Sequence, residues 1–266
     1  MTEGDRGRRR MRRVLGAALL FSLSLWMALA VAFAARDYVV AHGVPGPMRL
    51  VFGDEVRLYR WQAVRDVANR WRGPVRVGLQ VGHLDATDQP DELEALRVST
   101  GAHWDGVDEV DVNLEIALKL SERLEEAGMV VDVLPATVPP RYRADVFLSI
   151  HVDANPDEDR NGYKSAHFIP ARNPAELLLK LMVDRAVLSS TRLTDDDRNV
   201  TGNMFRYYAF NNRRYRHAVH PRTPGLLVEL GYLSNGADSR LLDDPDVLVS
   251  ALASGVLGFL EEIGRL

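Results

Sequence analysis

The chain of 266 residues contains no cysteine. This absence excludes disulfide cross-links, iron–sulfur clusters, thiolate zinc sites and thiol nucleophiles. A metal site in this protein must therefore use histidine or oxygen ligands. Lysine is scarce as well, with three residues among the 33 basic ones, so arginine carries most of the positive charge.

Negative charge dominates the chain except at its amino terminus. Residues 1–13 carry six arginines and two acidic side chains, whereas residues 14–266 have a net charge of −8. Nucleic-acid binding depends on neutralising phosphates, so this acidic body argues against a nucleic-acid partner. Hydrophobic residues make up 46% of the chain, as in ordinary folded proteins, which argues against extensive disorder.

An uncharged segment follows the basic tail. Residues 14–35 would span roughly 33 Å as a helix, which is enough to cross a bilayer core. The arginines before it favour a cytoplasmic amino terminus. The segment predicts a single-pass membrane anchor after a cytoplasmic tail at 1–13. A cleaved signal peptide with a small-residue site at 32–34 is the alternative, and it would give a secreted protein. Either interpretation places the rest of the chain outside the cytoplasm.

Two regions follow the apolar segment. Residues 36–74 combine a turn-rich linker with a short amphipathic helix, and we interpret them as membrane-proximal. Residues 75–266 alternate short apolar runs with helical patterns, which predicts one α/β domain with a sheet covered on both faces. The predicted helices cover 109–127, 174–190 and 247–264, and the predicted strands cover 75–81, 129–134, 145–150, 165–169 and 225–230.

Ionisable residues stand where these elements end or begin. His83 and His151 follow two predicted strands, Glu229 lies near the end of a third, and Glu109 begins a helix. Ligand sites of open α/β sheets lie at the carboxyl ends of the strands, so we expect the four residues at one edge. Two imidazoles and a carboxylate form a ligand set for catalytic zinc, and a further carboxylate can act as a general base. Taken singly, each residue is more typical of a polar sheet edge or a favourable helix start than of a metal site.

Four segments in this order, VGHLDA, EVDVNLEIALKLSERLEEAG, DVFLSIHVDA and PGLLVELGYLSN, resemble the zinc-dependent N-acetylmuramoyl-L-alanine amidases of bacteria. The resemblance covers about residues 75–264. It implies a mixed, mostly parallel sheet of about six strands, surrounded by helices. It also implies His83, Glu109 and His151 as ligands of one Zn²⁺, with Glu229 as the catalytic base. The implied reaction cleaves the amide bond between N-acetylmuramic acid and L-alanine in peptidoglycan.

The first segment departs from the family pattern. Residues 80–85 read QVGHLD, where the family usually has Asp-Pro-Gly-His-Gly-Gly. Losing a side chain that orients a ligand weakens metal binding by about ten- to a hundredfold, and Asp85 is a candidate replacement. A family arginine shortly before the final glutamate lacks a clear counterpart here. Arg216, His220 and Arg222 are the alternatives for it.

Two other functions compete with the amidase. The altered first segment suggests a non-catalytic domain that binds peptidoglycan or muropeptides. Alternatively, the pairs His83-x-Asp85 and His151-x-Asp153 suggest a two-metal phosphoesterase. One metal ion per chain favours the amidase, two favour the phosphoesterase and none favours the binder. The basic, aromatic stretch at 206–217 is either a solvated loop or a contact for anionic wall polymer or substrate carboxylates. The sequence identifies no protein partner.

Overall fold

The computed structural model describes residues 73–266. The predicted basic tail at 1–13, the predicted membrane segment at 14–35 and residues 36–72 of the predicted linker lie outside the described residues. Within residues 73–266, no helix combines the length and the apolar character needed to cross a bilayer.

This region contains seven strands: β1 (Arg76–Val81), β2 (His103–Trp104), β3 (Val107–Asp108), β4 (Val130–Leu134), β5 (Val146–Asp153), β6 (Lys164–Ala166) and β7 (Gly225–Tyr232). Five of them form one sheet, in the order β4-β1-β5-β7-β6. Four of the five run parallel, and β6 pairs antiparallel with β7 at one edge. The two remaining short strands, β2 and β3, form a separate ribbon.

The mixed, mostly parallel sheet is confirmed, but it has five strands in the described region rather than about six. The chain between β1 and the first long helix is polar and adds no strand to the sheet. It forms two 3₁₀ helices, Ala86–Asp88 and Asp91–Leu96, and then the β2–β3 ribbon.

Three long helices cover one face of the sheet. The side chains of Val77 on β1 and Val228 on β7 share a core with buried residues of all three helices. The predicted helices are confirmed to within two residues at each end. The helices are α1 (Glu109–Glu126), α2 (Ala175–Ser190), α3 (Gly202–Phe205), α4 (Gly236–Leu242) and α5 (Asp246–Glu262), of which α1, α2 and α5 are the long ones.

The opposite face of the sheet is covered differently from the prediction. Phe147 on β5 and Leu227 on β7 pack there against Phe210 and Val219. These two belong to residues 200–224, a largely irregular segment whose helices are α3 and the 3₁₀ helix Tyr208–Phe210. The expectation of helices on both faces therefore holds only in the form of these short turns. Large aromatic side chains at a few positions bury this face, so a long amphipathic helix is not needed there.

Candidate metal centre and active-site cleft

His83 lies in a turn directly after β1. Its backbone has φ = 66°, in the left-handed region that non-glycine residues seldom occupy. Its Nδ1 donates a hydrogen bond to the carbonyl oxygen of Ser99 at 2.7 Å. This bond places the proton on Nδ1 and leaves Nε2 as the free acceptor. Nε2 lies 3.4 Å from Oε1 of Glu109.

Glu109 is the first residue of α1, and its side chain is buried. Its Oε2 accepts a hydrogen bond from the amide of Ala102 at 2.8 Å, and its Oε1 accepts one from Nδ2 of Asn113 at 3.2 Å. Burial opposes ionisation of this carboxylate. The hydrogen bond and charge of His151, together with His83 and the Ala102 amide, outweigh burial and lower the pKa of Glu109.

His151 lies inside β5, because this strand runs three residues further than predicted. Its Nδ1 is 3.0 Å from Oε1 of Glu109. Its ring also packs directly over Gly82, where a Cβ atom would lie 2.5 Å from the imidazole. Gly82 is therefore required for the close approach of the His151 ring to the end of β1.

The three side chains converge on one point. The ligand atoms of His83, Glu109 and His151 all lie within 4.8 Å of one another, so the group could hold a metal ion. It is the only such group within residues 73–266. Two imidazole nitrogens and a carboxylate oxygen suit zinc.

The described region contains no second group of metal ligands, as the two-metal alternative would require. Asp153 forms an ion pair with the ammonium of Lys164, so its carboxylate is already engaged. Asp85 is exposed to solvent.

A buried polar network holds the far side of the His151 ring. Nε2 of His151 lies 3.1 Å from Oγ of Ser149 and 3.3 Å from Oη of Tyr207. Both hydroxyls donate to Oε1 of Gln80, at 2.8 and 3.0 Å. Nε2 of Gln80 donates in turn to the carbonyl of Ala136 at 2.7 Å. Gln80 therefore orients the two hydroxyl groups that contact His151, at the position where the family pattern has an aspartate. The exposed Asp85 takes no part in this network.

Glu229 lies on β7, directly opposite His151 in the pairing of β5 with β7. Its Oε2 is buried and has no hydrogen-bond partner within the described residues. Burial, together with the negative charges of Glu109 and Asp153, raises the pKa of Glu229 to about 8 against the opposing charge of His151. A buried carboxylate oxygen without a protein partner suits a group that the protein chain itself does not supply, such as a metal-associated water or a substrate.

A cleft of about 410 Å³ opens above these residues. Its floor includes His83 and His151, and one wall consists of residues from the chain between β1 and β2, namely Gln89, Leu96 and Ser99. The other wall belongs to the aromatic and basic segment, and is formed by Asn203, Arg206, Tyr207, Tyr208, Asn211, Arg214 and Tyr215.

The three residues that the sequence offers as replacements for the family arginine do not line this cleft. His220 contacts Arg143, and Arg216 and Arg222 are exposed outside the lining. Arg206 and Arg214 line it instead. The sequence signal for them was the mixture of arginine and aromatic residues, which did not indicate which side chains face the site.

Comparison with known proteins agrees with this geometry. Residues 77–258, more than half of the chain, match the Amidase_3 family of N-acetylmuramoyl-L-alanine amidases. The germination-specific N-acetylmuramoyl-L-alanine amidase of Bacillus subtilis (strain 168) is 25% identical over 185 residues, which cover 59% of this chain and 72% of that protein.

Solved structures share the fold. The N-acetylmuramyl-L-alanine amidase Ami1 from Mycobacterium smegmatis matches with a TM-score of 0.53 and 19% identity, over 71% of this chain and 97% of that one. The N-acetylmuramoyl-L-alanine amidase from Clostridium difficile 630 matches with a TM-score of 0.50 and 21% identity, over the same shares. The family match confirms the resemblance found in the sequence, and the chain belongs to the N-acetylmuramoyl-L-alanine amidase family of hydrolases.

Proposed function

We propose that this amidase is zinc-dependent, and that it hydrolyses the bond between N-acetylmuramic acid and L-alanine with His83, Glu109 and His151 as ligands of one Zn²⁺. Glu229 is the catalytic base. One observation carries the proposal: three ligand atoms lie within 4.8 Å of one another, and the residue paired with His151 on the neighbouring strand, Glu229, has a buried carboxylate oxygen with no partner among the described residues. The cleft above them gives a substrate access to both histidines.

The residues fit zinc in number and type. They supply two nitrogen donors and one oxygen donor, which is a common catalytic set with one position left open. The protein also keeps each imidazole oriented, through the carbonyl of Ser99 for His83 and through the Ser149 hydroxyl for His151. When bound, zinc supplies a Lewis acid that activates water and offsets negative charge on the substrate oxygen.

Glu229 moves the proton. Its carboxylate accepts the proton of the attacking water as the lactyl carbonyl is attacked, and then returns it to the nitrogen of the departing L-alanine. The buried position of Oε2 suits this role, because no protein hydrogen bond competes for its lone pairs.

We also propose a location. Residues 14–35 anchor the chain in the membrane, residues 1–13 stay in the cytoplasm, and the domain at 75–266 faces the cell wall through the linker at 36–74. The support is the arginine block followed by an uncharged apolar segment. Fractionation of cells that express the full chain tests the anchor, because a cleaved signal would leave a shorter protein in the medium.

The test of the reaction uses the full chain, purified in detergent, on isolated peptidoglycan with and without a chelator. Mass spectrometry should detect free stem peptides beginning at L-alanine only without the chelator. Glu229→Gln should lose about 100-fold or more in rate while it retains one zinc per chain. Glu125→Gln, on the exposed face of α1, is the matched control and should keep full activity.

The alternatives predict other results. Undiminished activity in Glu229→Gln would refute the role of this residue as base. A zinc-loaded protein that releases no stem peptide but binds the wall would instead be the non-catalytic binder. Two metal ions per chain would favour the phosphoesterase.

A further inference from the structure

We propose that Arg206 and Arg214 form a subsite that binds a carboxylate of the stem peptide in the substrate. The identity of this ligand rests on the proposed function. The subsite itself rests on the charges that line the cleft.

One wall of the cleft is basic, in contrast to the rest of the domain. Residues 203–222 contain five arginines and no acidic residue, although the chain beyond its basic tail is strongly acidic. The fold separates these arginines into two groups. Arg206 and Arg214 line the cleft together with both histidines, whereas Arg213, Arg216 and Arg222 do not.

Neither cleft arginine has an acidic partner among the described residues, and both side chains are exposed to solvent. The ion pairs within residues 73–266 engage Arg76, Arg97 and Arg172, among others, but neither Arg206 nor Arg214. No aspartate or glutamate belongs to the lining of the cleft. Two unpaired guanidinium groups in a concave site attract an anion and can bind a carboxylate in a bidentate manner.

The wall that carries them is anchored on both sides. After Arg206, the hydroxyl groups of Tyr207 and Tyr208 bond to Gln80 and to the carbonyl of Ala136. After Arg214, the carboxylate of Glu92 accepts hydrogen bonds from the backbone amides of residues 216 and 217, at 3.0 and 2.7 Å. Because these hydrogen bonds already hold the backbone near both arginines, less conformational entropy is lost there when a ligand binds.

The Arg214 side chain has support of its own. Its guanidinium carbon lies 5.1 Å from the ring centre of Tyr215, which also lines the cleft. This stacking restrains the guanidinium and leaves its N–H groups available.

The chemistry of the substrate identifies the anion. The lactyl carboxyl of N-acetylmuramic acid is consumed in the scissile amide, so the attached sugar presents hydroxyl and acetamide groups. The free carboxylates lie on the peptide, beyond L-alanine. The arginine wall therefore receives the stem peptide, and the wall with Gln89, Leu96 and Ser99 is left for the glycan.

The test compares a soluble muropeptide that has free carboxylates with the same compound after conversion of these groups to carboxamides. Arg206→Gln and Arg214→Gln should each raise KM for the acidic substrate by about tenfold or more, with little change in kcat. Their KM for the amidated substrate should match that of the wild type. Arg213→Gln, in the same segment but outside the cleft, is the matched control and should change neither value. Equal KM changes for both substrates, or no change for either, would overturn the subsite.

A second measurement separates this proposal from the proposed reaction. Calorimetry on the metal-free full chain should detect the free stem peptide, with affinity reduced by about tenfold or more in either arginine variant. Binding that depends on both arginines, combined with no release of stem peptide from peptidoglycan by the zinc-loaded protein, would support the subsite and refute the reaction. If the zinc-loaded protein cleaves peptidoglycan but both arginine variants bind the stem peptide as tightly as the wild type, only the subsite would be refuted. Variants impaired only on phosphate-rich whole walls would identify an anionic wall polymer as the ligand, and would also overturn the proposal.

Discussion

The imidazole rings of His83 and His151 lie edge to face, with centroids 5.0 Å apart and planes at 89°. One ring follows β1 and the other belongs to the adjacent strand β5. Each ring directs one nitrogen toward a supporting oxygen of the protein and the other toward Glu109. This arrangement leaves both rings able to contribute a nitrogen to the proposed metal site.

Replacing either histidine should remove the metal. We expect about one zinc per chain in the wild type and nearly none in His83→Ala or His151→Ala, because two ligands hold zinc far more weakly than three. Elemental analysis after dialysis gives the stoichiometry. His103→Ala is the control, because His103 is exposed and pairs with Asp108. Full zinc content in both test variants would place the metal elsewhere.

Gly82 offers a test of the packing around His151. In Gly82→Ala, the added methyl group would lie 2.5 Å from the imidazole of His151 and 2.7 Å from the carbonyl oxygen of Ile150, so the ring or the adjoining backbone must shift. We expect a folded protein that binds zinc at least about tenfold more weakly. Gly258→Ala, in α5, provides the comparison, because no atom of the described residues lies within 4 Å of the added Cβ there. If Gly82→Ala binds zinc like the wild type, the close contact is unimportant.

The hydroxyl group of Ser149 should support metal binding without touching the metal. Ser149→Ala removes a hydrogen bond to Nε2 of His151 and leaves Oε1 of Gln80 with Tyr207 as its remaining hydroxyl donor. We expect zinc affinity to fall by about tenfold, as measured by competition with a chelator. Ser121→Ala, another buried serine that lies on α1, should leave the affinity unchanged. Equal affinities in all three proteins would contradict this role for Ser149.

The metal-free protein should become less stable as the pH rises toward 8. The folded pKa of Glu229 is about 8, above its ordinary value of 4.5, so between these values the folded state binds the proton more tightly than the unfolded chain. The free energy of unfolding therefore falls with increasing pH over this range. His151, whose pKa is also raised, acts in the same direction.

The variant Glu229→Gln isolates the contribution of the carboxylate. Thermal unfolding in the presence of a chelator should show the variant gaining Tm relative to the wild type between pH 5.5 and pH 8. Parallel pH profiles for the two proteins would show that the Glu229 carboxylate does not titrate abnormally.

The sequence was sufficient to predict the elements that carry their own local pattern. The apolar runs around β1, β5 and β7 and the helical spacing of α1 predicted the sheet and the convergence of His83, Glu109 and His151. The covering of the opposite face was not predictable in this way. It depends on aromatic residues such as Tyr207, whose partner Gln80 lies 127 positions away and is brought near only by the finished fold.

Part of the hydrogen-bond network beside His151 was predictable from the sequence. Phe147, Ser149 and His151 alternate along β5 and must therefore share one face, so a polar environment beneath His151 was implicit. The residue that replaces the family arginine was not predictable for a different reason. Arg216 and Arg222 lie in a loop without periodicity, and only tertiary contacts decide which loop side chains face a cleft.

The order of the strands has a consequence for the activity of incomplete chains. Strand β7 lies between β5 and β6, although both of these precede it in the chain. A nascent or truncated polypeptide that ends before β7 already contains all three proposed zinc ligands, yet it lacks the proposed proton acceptor and the strand that joins β6 to β5. On the proposed mechanism, such a fragment could not cut the wall. Hydrolysis of the wall would then become possible only after β7 has been synthesised.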